Sequence, residues 1–121
     1  MPVRALRGAI QVDADQRDLV LDATAELVEA VLERNRLTAD DLISITFTAT
    51  PDLVSDFPAY AVRRLGITDV PLLCATEMDV PGAMPRVIRL LALADVTFSR
   101  AEARHVYLRG AAALRTDLHR D

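Results

Sequence analysis

The side chains best suited to chemistry in this sequence are charged residues placed among apolar ones. Arg89 is embedded in the apolar run 86–94. An unpaired charge is costly to bury, so this arginine must meet a carboxylate, reach solvent or face a cleft. Glu77, in the neighbouring predicted strand, raises the same question, and a Glu77–Arg89 ion pair would explain both residues. The sequence leaves two roles open for them, a structural ion pair and a ligand site.

Three further residues are weaker candidates for chemistry. Arg7 lies on the polar side of a predicted strand, as a solvated strand residue also would. Tyr107 is typical of a half-buried packing residue with a satisfied hydroxyl, and Cys74 of a small core hydrophobe. Taken together with the pair above, they suggest an arginine-rich site for a small anion, with a carboxylate and a phenol nearby.

Composition indicates one ordinary domain, residues 1–121. Hydrophobic residues make up 51% of the chain and charged residues 26%, which excludes a disordered or fibrous protein. The net charge is −4, which argues against nucleic acid as a partner. All 14 positive residues are Arg. Arginine suits bidentate recognition of carboxylate or phosphate, although a GC-rich genome would also produce this excess.

Several classes of site have no support in the sequence. One cysteine excludes an internal disulfide framework, and two distant histidines, His105 and His119, form no metal-ligand cluster. We find no phosphate-binding glycine loop, no Ser-His-Asp order and no paired catalytic acids. No metal or cofactor is therefore expected. The chain shows neither a signal peptide nor a membrane span, and we expect it to be cytoplasmic.

The elements that must position these residues follow from hydrophobic periodicity. The pattern predicts strands at 3–12, 42–50, 70–78 and 104–109, and helices at 15–36 and 58–65. The segment 86–94 is ambiguous between helix and strand. This indicates an α/β (α+β) domain with a mixed sheet of about five strands and two helices packed outside.

Local patterns give three more detailed expectations. Asp13 or Asp15 is expected to cap the long helix. In the strand 42–50, strict alternation predicts a buried face with these members: Ile43, Ile45, Phe47 and Ala49. In an unbroken strand, Cys74 and Glu77 point to opposite faces. If both contact one ligand, either a bulge intervenes or they come from neighbouring subunits.

Motifs spread along the chain resemble one known family. They are RGAI (7–10), ATPDL (49–53), FPAYAVR (57–63), CATEMDVPG (74–82), VIRLL (87–91), RHVYL (104–108) and LRTDL (114–118). In order and spacing they resemble the AroH-class chorismate mutases, from Arg7 to Leu118. The sequence departs from the family pattern at Tyr60, where a lysine is common, at Leu73, and by one residue missing near 67–69.

The resemblance implies a function and an assembly. The family converts chorismate to prephenate, a Claisen rearrangement at the branch point toward Phe and Tyr. Its members are trimers in which the sheets form a pseudo-barrel and the active sites lie between subunits. The substrate is a dicarboxylate and the reaction is pericyclic, so it needs no nucleophile, metal or general base. This agrees with the absence of such groups above.

The resemblance also implies roles for individual residues. Arg89 is expected to donate to the ether oxygen, and Glu77 to bind the ring hydroxyl and face the positive charge that develops on the ring. Cys74 is expected near the same hydroxyl, and Arg7 with Tyr107 on a carboxylate. Further substrate-binding positions are the segment Leu73, Ala75 and Thr76, and the rim residues Phe57, Arg63, Leu114 and Arg115.

The sequence leaves other functions open besides that of a chorismate mutase. The same fold could serve a non-catalytic trimer that binds a small carboxylate, since folds host unrelated functions. A trimeric enamine/imine deaminase has a similar barrel, but its signature is absent. In a purely structural reading, the Glu77–Arg89 pair only stabilises the fold.

Overall fold

A computed structural model describes residues 2–114, which form one sheet with its helices. The strands are β1 (Val3–Gln11), β2 (Leu42–Ala49), β3 (Leu72–Thr76), β4 (Val87–Asp95) and β5 (Val106–Leu108). The helices are α1 (Arg17–Arg34) and α2 (Ala59–Arg64). Short 3-10 turns occupy Ala39–Asp41, Arg100–Glu102 and Arg109–Leu114. The predicted mixed five-strand α+β fold is confirmed.

The sheet has the strand order β3-β2-β4-β1-β5. β4 lies at its centre and pairs antiparallel with both β1 and β2, whereas the outer pairs, β1 with β5 and β2 with β3, are parallel. The ambiguous segment 86–94 is therefore a strand. Its near-continuous apolar sequence is typical of a strand with neighbours on both sides.

The main core lies between one face of the sheet and α1, and a small second cluster of Ala9, Val87 and Ala111 lies on the other face. Leu27, Val28 and Val31 of the helix are buried against strand residues that include Phe47 and Leu90. Gly8 permits this close packing, because a Cβ there would lie 3.1 Å from the side chains of Leu27 and Leu90. The absence of a side chain in β1 thus sets how closely the helix approaches the sheet.

The predicted helix cap is wrong. α1 begins at Arg17, and its N-cap residue, Gln16, makes no side-chain capping bond. Asp15 instead accepts hydrogen bonds from the backbone N–H groups of Val54 and Ser55, both at 3.1 Å. These two loop N–H groups are paired by one carboxylate, which is therefore directed to the loop and not to the start of the helix.

The strict alternation predicted for residues 42–50 fails at its beginning. Ile43, expected in the buried set, is 42% exposed. Leu42 pairs with Ala94 and Ser44 with Leu93, so Ile43 is an extra residue without a partner in β4. Such a bulge turns one side chain away from the core, and regular alternation resumes at Ile45.

A buried amide links the end of α1 to the chain before β5. Asn35 is only 7% exposed. Its Nδ2 donates to the carbonyls of Val31 at 2.8 Å and Arg104 at 2.9 Å, and its Oδ1 accepts the Arg104 N–H at 2.8 Å. The side chain thereby pairs with a backbone as a neighbouring strand would, and it fixes the start of β5.

We expect Asn35→Ala to lower the free energy of unfolding by about 2–3 kcal/mol, because it removes one hydrogen bond to Val31 and two to the backbone of Arg104. Urea unfolding would measure the loss. Arg34→Ala, at the exposed preceding position, is the control and should change stability by less than about 0.5 kcal/mol. Equal losses in the two variants would contradict the role given to the amide.

Candidate active site on the open face of the sheet

The face of the sheet turned away from α1 carries two rows of directly paired residues. Paired residues in neighbouring strands point to the same side of a sheet. One row, read across the sheet, is Tyr107, Ala9, Arg89, Thr48 and Ala75; the next is Arg7, Leu91, Thr46 and Leu73. We call this side the open face. It brings Arg7, Arg89 and Tyr107 together although they are far apart in sequence.

A pocket of about 480 Å³ lies on the open face. Its lining residues are Arg7, Gly8, Thr46, Thr48, Arg89, Leu90, Leu91, Tyr107 and Leu114. The volume is in the range of pockets that take small molecules. Two guanidinium groups and one phenol contribute to the lining, alongside leucine side chains. Such a lining suits a compact anion with an apolar body.

Glu77 meets Arg89 beside this pocket. The residue follows β3, and its backbone N–H continues the ladder by donating to the Ala49 carbonyl at 2.9 Å. Its Oε1 lies 3.0 Å from Arg89 Nε and also accepts a hydrogen bond from the Thr48 hydroxyl. The ion pair foreseen from the sequence is therefore present, and its arginine lines the pocket, so the structural and functional roles of the pair are not exclusive.

The segment ATPDL holds the beginning of β4. The Asp52 carboxylate accepts the backbone N–H of Arg86 at 3.0 Å. The Thr50 hydroxyl donates to Asp52 and accepts the Val87 N–H at 3.0 Å. Arg86 has a φ of 53°, a left-handed conformation that a non-glycine residue adopts only when its surroundings enforce it. These bonds fix where β4 starts, and therefore the face on which Arg89 emerges.

Arg7 is positioned through its backbone. Its N–H donates to Nδ1 of His105 at 3.0 Å, which ties β1 to the residue before β5. Within residues 2–114, no acidic side chain forms an ion pair with the Arg7 guanidinium. Its charge is thus available to a ligand, beside the phenol of Tyr107.

Cys74 lies on the other face. It pairs with Phe47 in the row that includes Leu90, and it packs against the core. The parity expected for Cys74 and Glu77 is confirmed, because β3 is regular from Leu72 to Thr76. Within one chain, the thiol and the Glu77 carboxylate therefore do not face one ligand.

The remaining predicted site residues divide into three sets. Leu114 lines the pocket. Several others lie outside it, towards the opposite edge of the sheet, on β3 or around α2: Leu73, Ala75, Thr76, Phe57 and Arg63. In that region, Phe57 and Tyr60 stack edge to face, with ring centres 5.5 Å apart. Arg115 falls outside the described residues.

The sequence analysis missed the two threonines in the pocket. Thr46 and Thr48 were interpreted only as the polar side of a half-buried strand. Their alternation with Ile45 and Phe47 was a usable signal, because it places both hydroxyls on the face opposite the core, where Arg89 emerges. The sequence does not reveal that Thr48 pairs with Arg89 across the sheet.

The described part of the chain has neither a cluster of metal-binding side chains nor a membrane-spanning helix. Among residues 2–114, no group of three or more His, Cys, Asp or Glu side chains is arranged to hold a metal ion. Over the same range, no helix has the length and apolar character needed to cross a membrane.

Fold and site together define a small α+β protein that presents a pocket with two arginines and a tyrosine on one face of its sheet. Its sequence matches the family model of chorismate mutase type I over residues 3–118. The chain belongs to this family, as its motifs led us to expect, and the members of the family are isomerases.

Individual relatives agree with this assignment. The chain is 48% identical to a chorismate mutase AroH of Thermus thermophilus over 117 residues, which cover 96% of each protein. It is 39% identical to a chorismate mutase AroH of Bacillus subtilis, covering 98% of this chain and 94% of that one. A solved chorismate mutase from Clostridium thermocellum superposes with a TM-score of 0.89 at 39% identity, over 90% of this chain and 97% of that one. The chorismate mutase function expected from the sequence is thus confirmed.

The contact between His105 and Arg7 predicts a dependence of stability on pH. Burial of the ring, and secondly the charge of Arg7, lower the pKa of His105 below its usual 6.5. The unfolded chain then binds more protons than the folded one as the pH falls below about 6.5, so this contribution to stability is complete above that pH and is lost on acidification.

We expect the urea midpoint to fall between about pH 7 and pH 5.5, and to fall less in His105→Asn. The asparagine carbonyl still accepts a hydrogen bond but does not take up a proton. Urea unfolding of both proteins at the two pH values measures the difference. A variant as sensitive to pH as the wild type would contradict the assignment to His105.

Proposed function

We propose that the chain rearranges chorismate to prephenate in the pocket lined by Arg7, Arg89 and Tyr107. The observation that carries the proposal is the convergence of these three side chains on one cavity, with Glu77 held beside Arg89. A dicarboxylate substrate needs two cationic or hydrogen-bonding anchors and an apolar wall for its ring. The open face supplies both kinds of group.

The reaction moves no atom to or from the protein. The ether C–O bond of the substrate breaks while a new C–C bond forms within the same molecule. Catalysis then depends on holding the reactive conformer and on stabilising charge as it separates. The pocket suits this task, since its charged groups are fixed by strand pairing and by contacts with neighbouring residues.

Arg89 is the residue that acts on the breaking bond in this proposal. Its Nε faces the Glu77 carboxylate, and its remaining N–H groups are available to the ether oxygen, where negative charge develops. One preorganised donor of this kind is worth about 3 kcal/mol of transition-state stabilisation in other enzymes. The carboxylate of Glu77 faces the positive charge that develops on the ring.

Arg7 and Tyr107 bind one carboxylate of the substrate in the same proposal. The two residues are neighbours on the open face because β1 pairs with β5, with Ala9 opposite Tyr107. A guanidinium and a phenol can both donate to one carboxylate. The bond from the Arg7 backbone N–H to His105 fixes the point on β1 from which this side chain extends.

We further propose that the active protein is a trimer and that a neighbouring subunit completes each site. The open face exposes apolar side chains to solvent in the single chain: Leu73 is 63% exposed and Leu91 45%.

Phe57 and Arg63 lie near β3, at the edge opposite β5 and Tyr107. Placing the β3 edge of one chain against the β5 edge of another would bring them to the pocket and bury the exposed leucines. Cys74 would then contribute through its backbone, because its side chain packs into the core.

Arg89→Ala tests the reaction. The side chains of Arg89 and Glu77 are 44% and 23% exposed, so losing the pair should cost at most about 1 kcal/mol and leave the protein folded. We expect kcat/KM to fall by about 100-fold or more, measured as the loss of chorismate absorbance. Arg64→Ala, on the exposed side of α2, is the control.

The outcomes separate the two functions considered. Wild-type protein that is folded but consumes no chorismate above the uncatalysed background would contradict the mutase proposal and favour a non-catalytic carboxylate-binding protein. Retained activity in Arg89→Ala would remove Arg89 from the mechanism.

Light scattering tests the assembly. We expect a solution mass near three times the 13.3 kDa of one chain. Leu73→Asp places a charge on the open face and should lower both the mass and the activity, because the sites lie between subunits. A fully active protein with the mass of one chain would overturn the shared-site proposal.

A further inference from the structure

We propose that Thr48 is a positioning residue for catalysis. Its hydroxyl holds the Glu77 carboxylate in a single contact with Arg89 and so keeps the other N–H groups of Arg89 free for substrate. The inference rests on the proposed function, since it concerns the same pocket. It adds a residue for which the motifs gave no role.

Thr48 lies at the centre of the arrangement. In β2, it pairs with Arg89 of β4 on one side and with Ala75 of β3 on the other. Glu77, two residues beyond Ala75, points to the same face and reaches back over Thr48. The threonine is thus the one strand residue directly between the acid and the arginine.

Both contacts to Glu77 fall on the same oxygen. The Thr48 hydroxyl donates to Oε1, and Arg89 Nε lies 3.0 Å from that atom. A carboxylate accepts only, so the hydroxyl proton must point to it. The donated bond is charge-assisted and of the stronger kind. It ties Oε1 to β2, the strand between β3 and β4, and leaves Oε2 for a ligand.

A bidentate pair between Arg89 and Glu77 would leave fewer guanidinium N–H groups for the substrate. An arginine and a carboxylate that are free to turn form a bidentate pair, in which two parallel N–H···O bonds use both carboxylate oxygens and two guanidinium nitrogens. Such a pair would withdraw donors of Arg89 from the pocket. The Thr48 bond to Oε1 restrains that rotation, because it helps to hold the carboxylate in the single contact with Arg89 that the structure shows.

The position of Thr48 suits an effect on catalysis rather than on the stability of the fold. The residue lines the pocket, on the face opposite the core. Its hydroxyl bonds to Glu77, so removing it should disturb the arrangement of Glu77 and Arg89 more than the packing. Thr46, two residues earlier on the same face, makes no side-chain hydrogen bond within residues 2–114, which distinguishes the two threonines.

The test compares Thr48→Val with Thr48→Ser. Valine keeps the shape and loses the hydroxyl, whereas serine keeps the hydroxyl. We expect Thr48→Val to lower kcat by about tenfold or more, towards the 100-fold that a misplacement of about 1 Å can cost. KM should change little, because the carboxylate anchor of Arg7 and Tyr107 is untouched. Thr48→Ser should stay within about threefold of wild type.

The matched control is Ser44→Ala. Ser44 lies on the same strand and the same face, pairs with Leu93 and is outside the pocket. Losing its hydroxyl should leave kcat and KM unchanged. Urea unfolding of all variants checks that any loss of rate is not a loss of folded protein.

Each outcome bears on the inference. An unchanged kcat in Thr48→Val, in an active wild-type background, overturns it while the mutase function stands. A rise in KM with unchanged kcat overturns it too, since that would mean equal weakening of ground-state and transition-state binding. An equal fall of kcat in Thr48→Ser shows that the hydroxyl is not responsible. A wild type without mutase activity defeats the proposed function itself, and this inference with it.

Discussion

Arg89 is a charged residue in the central strand of a sheet whose α-helices lie on one side only, while the 3-10 turn Arg109–Leu114 covers part of the other side. Its guanidinium cannot lie under α1 without losing its solvation, so it must emerge on the open face. The other features of the site follow from that constraint. Glu77 compensates the charge from the end of β3, Thr48 holds Glu77 from the strand between them, and Arg7 and Tyr107 adjoin Arg89 because β1 and β5 continue the sheet.

Bonds at the ends of the strands maintain this arrangement. Asp52 and Thr50 fix the start of β4, His105 fixes Arg7, and Asn35 fixes the chain that leads into β5. Each is a side chain that pairs with backbone groups left without a strand partner. A pocket that must hold two arginines in fixed positions requires such bonds, because catalysis by charge stabilisation works only when the charges are preorganised.

Most of the elements could be predicted from periodicity, and the errors share one cause. β1, α1, α2 and β3 lie where the pattern placed them, with ends shifted by one or two residues. The failures were Asp15 as a helix cap and Ile43 as a core residue. In both cases the outcome depended on a partner that is distant in the sequence. Asp15 binds the loop at Val54 and Ser55, and Ile43 is displaced by the register of β2 against β4. Local propensity carries no information about such partners.

The fold class, the family and the chemical types of the site could be predicted from the linear chain, since alternation, motif spacing and an arginine among apolar residues are all visible there. Which of those residues meet depended on how the strands pair. The tertiary structure separated Cys74 from Glu77 by the parity of one regular strand, and it brought Thr48 between Glu77 and Arg89. The physical reason is that strand order and register are set by packing of the whole sheet against α1, so contacts between strands depend on segments that are remote in the sequence.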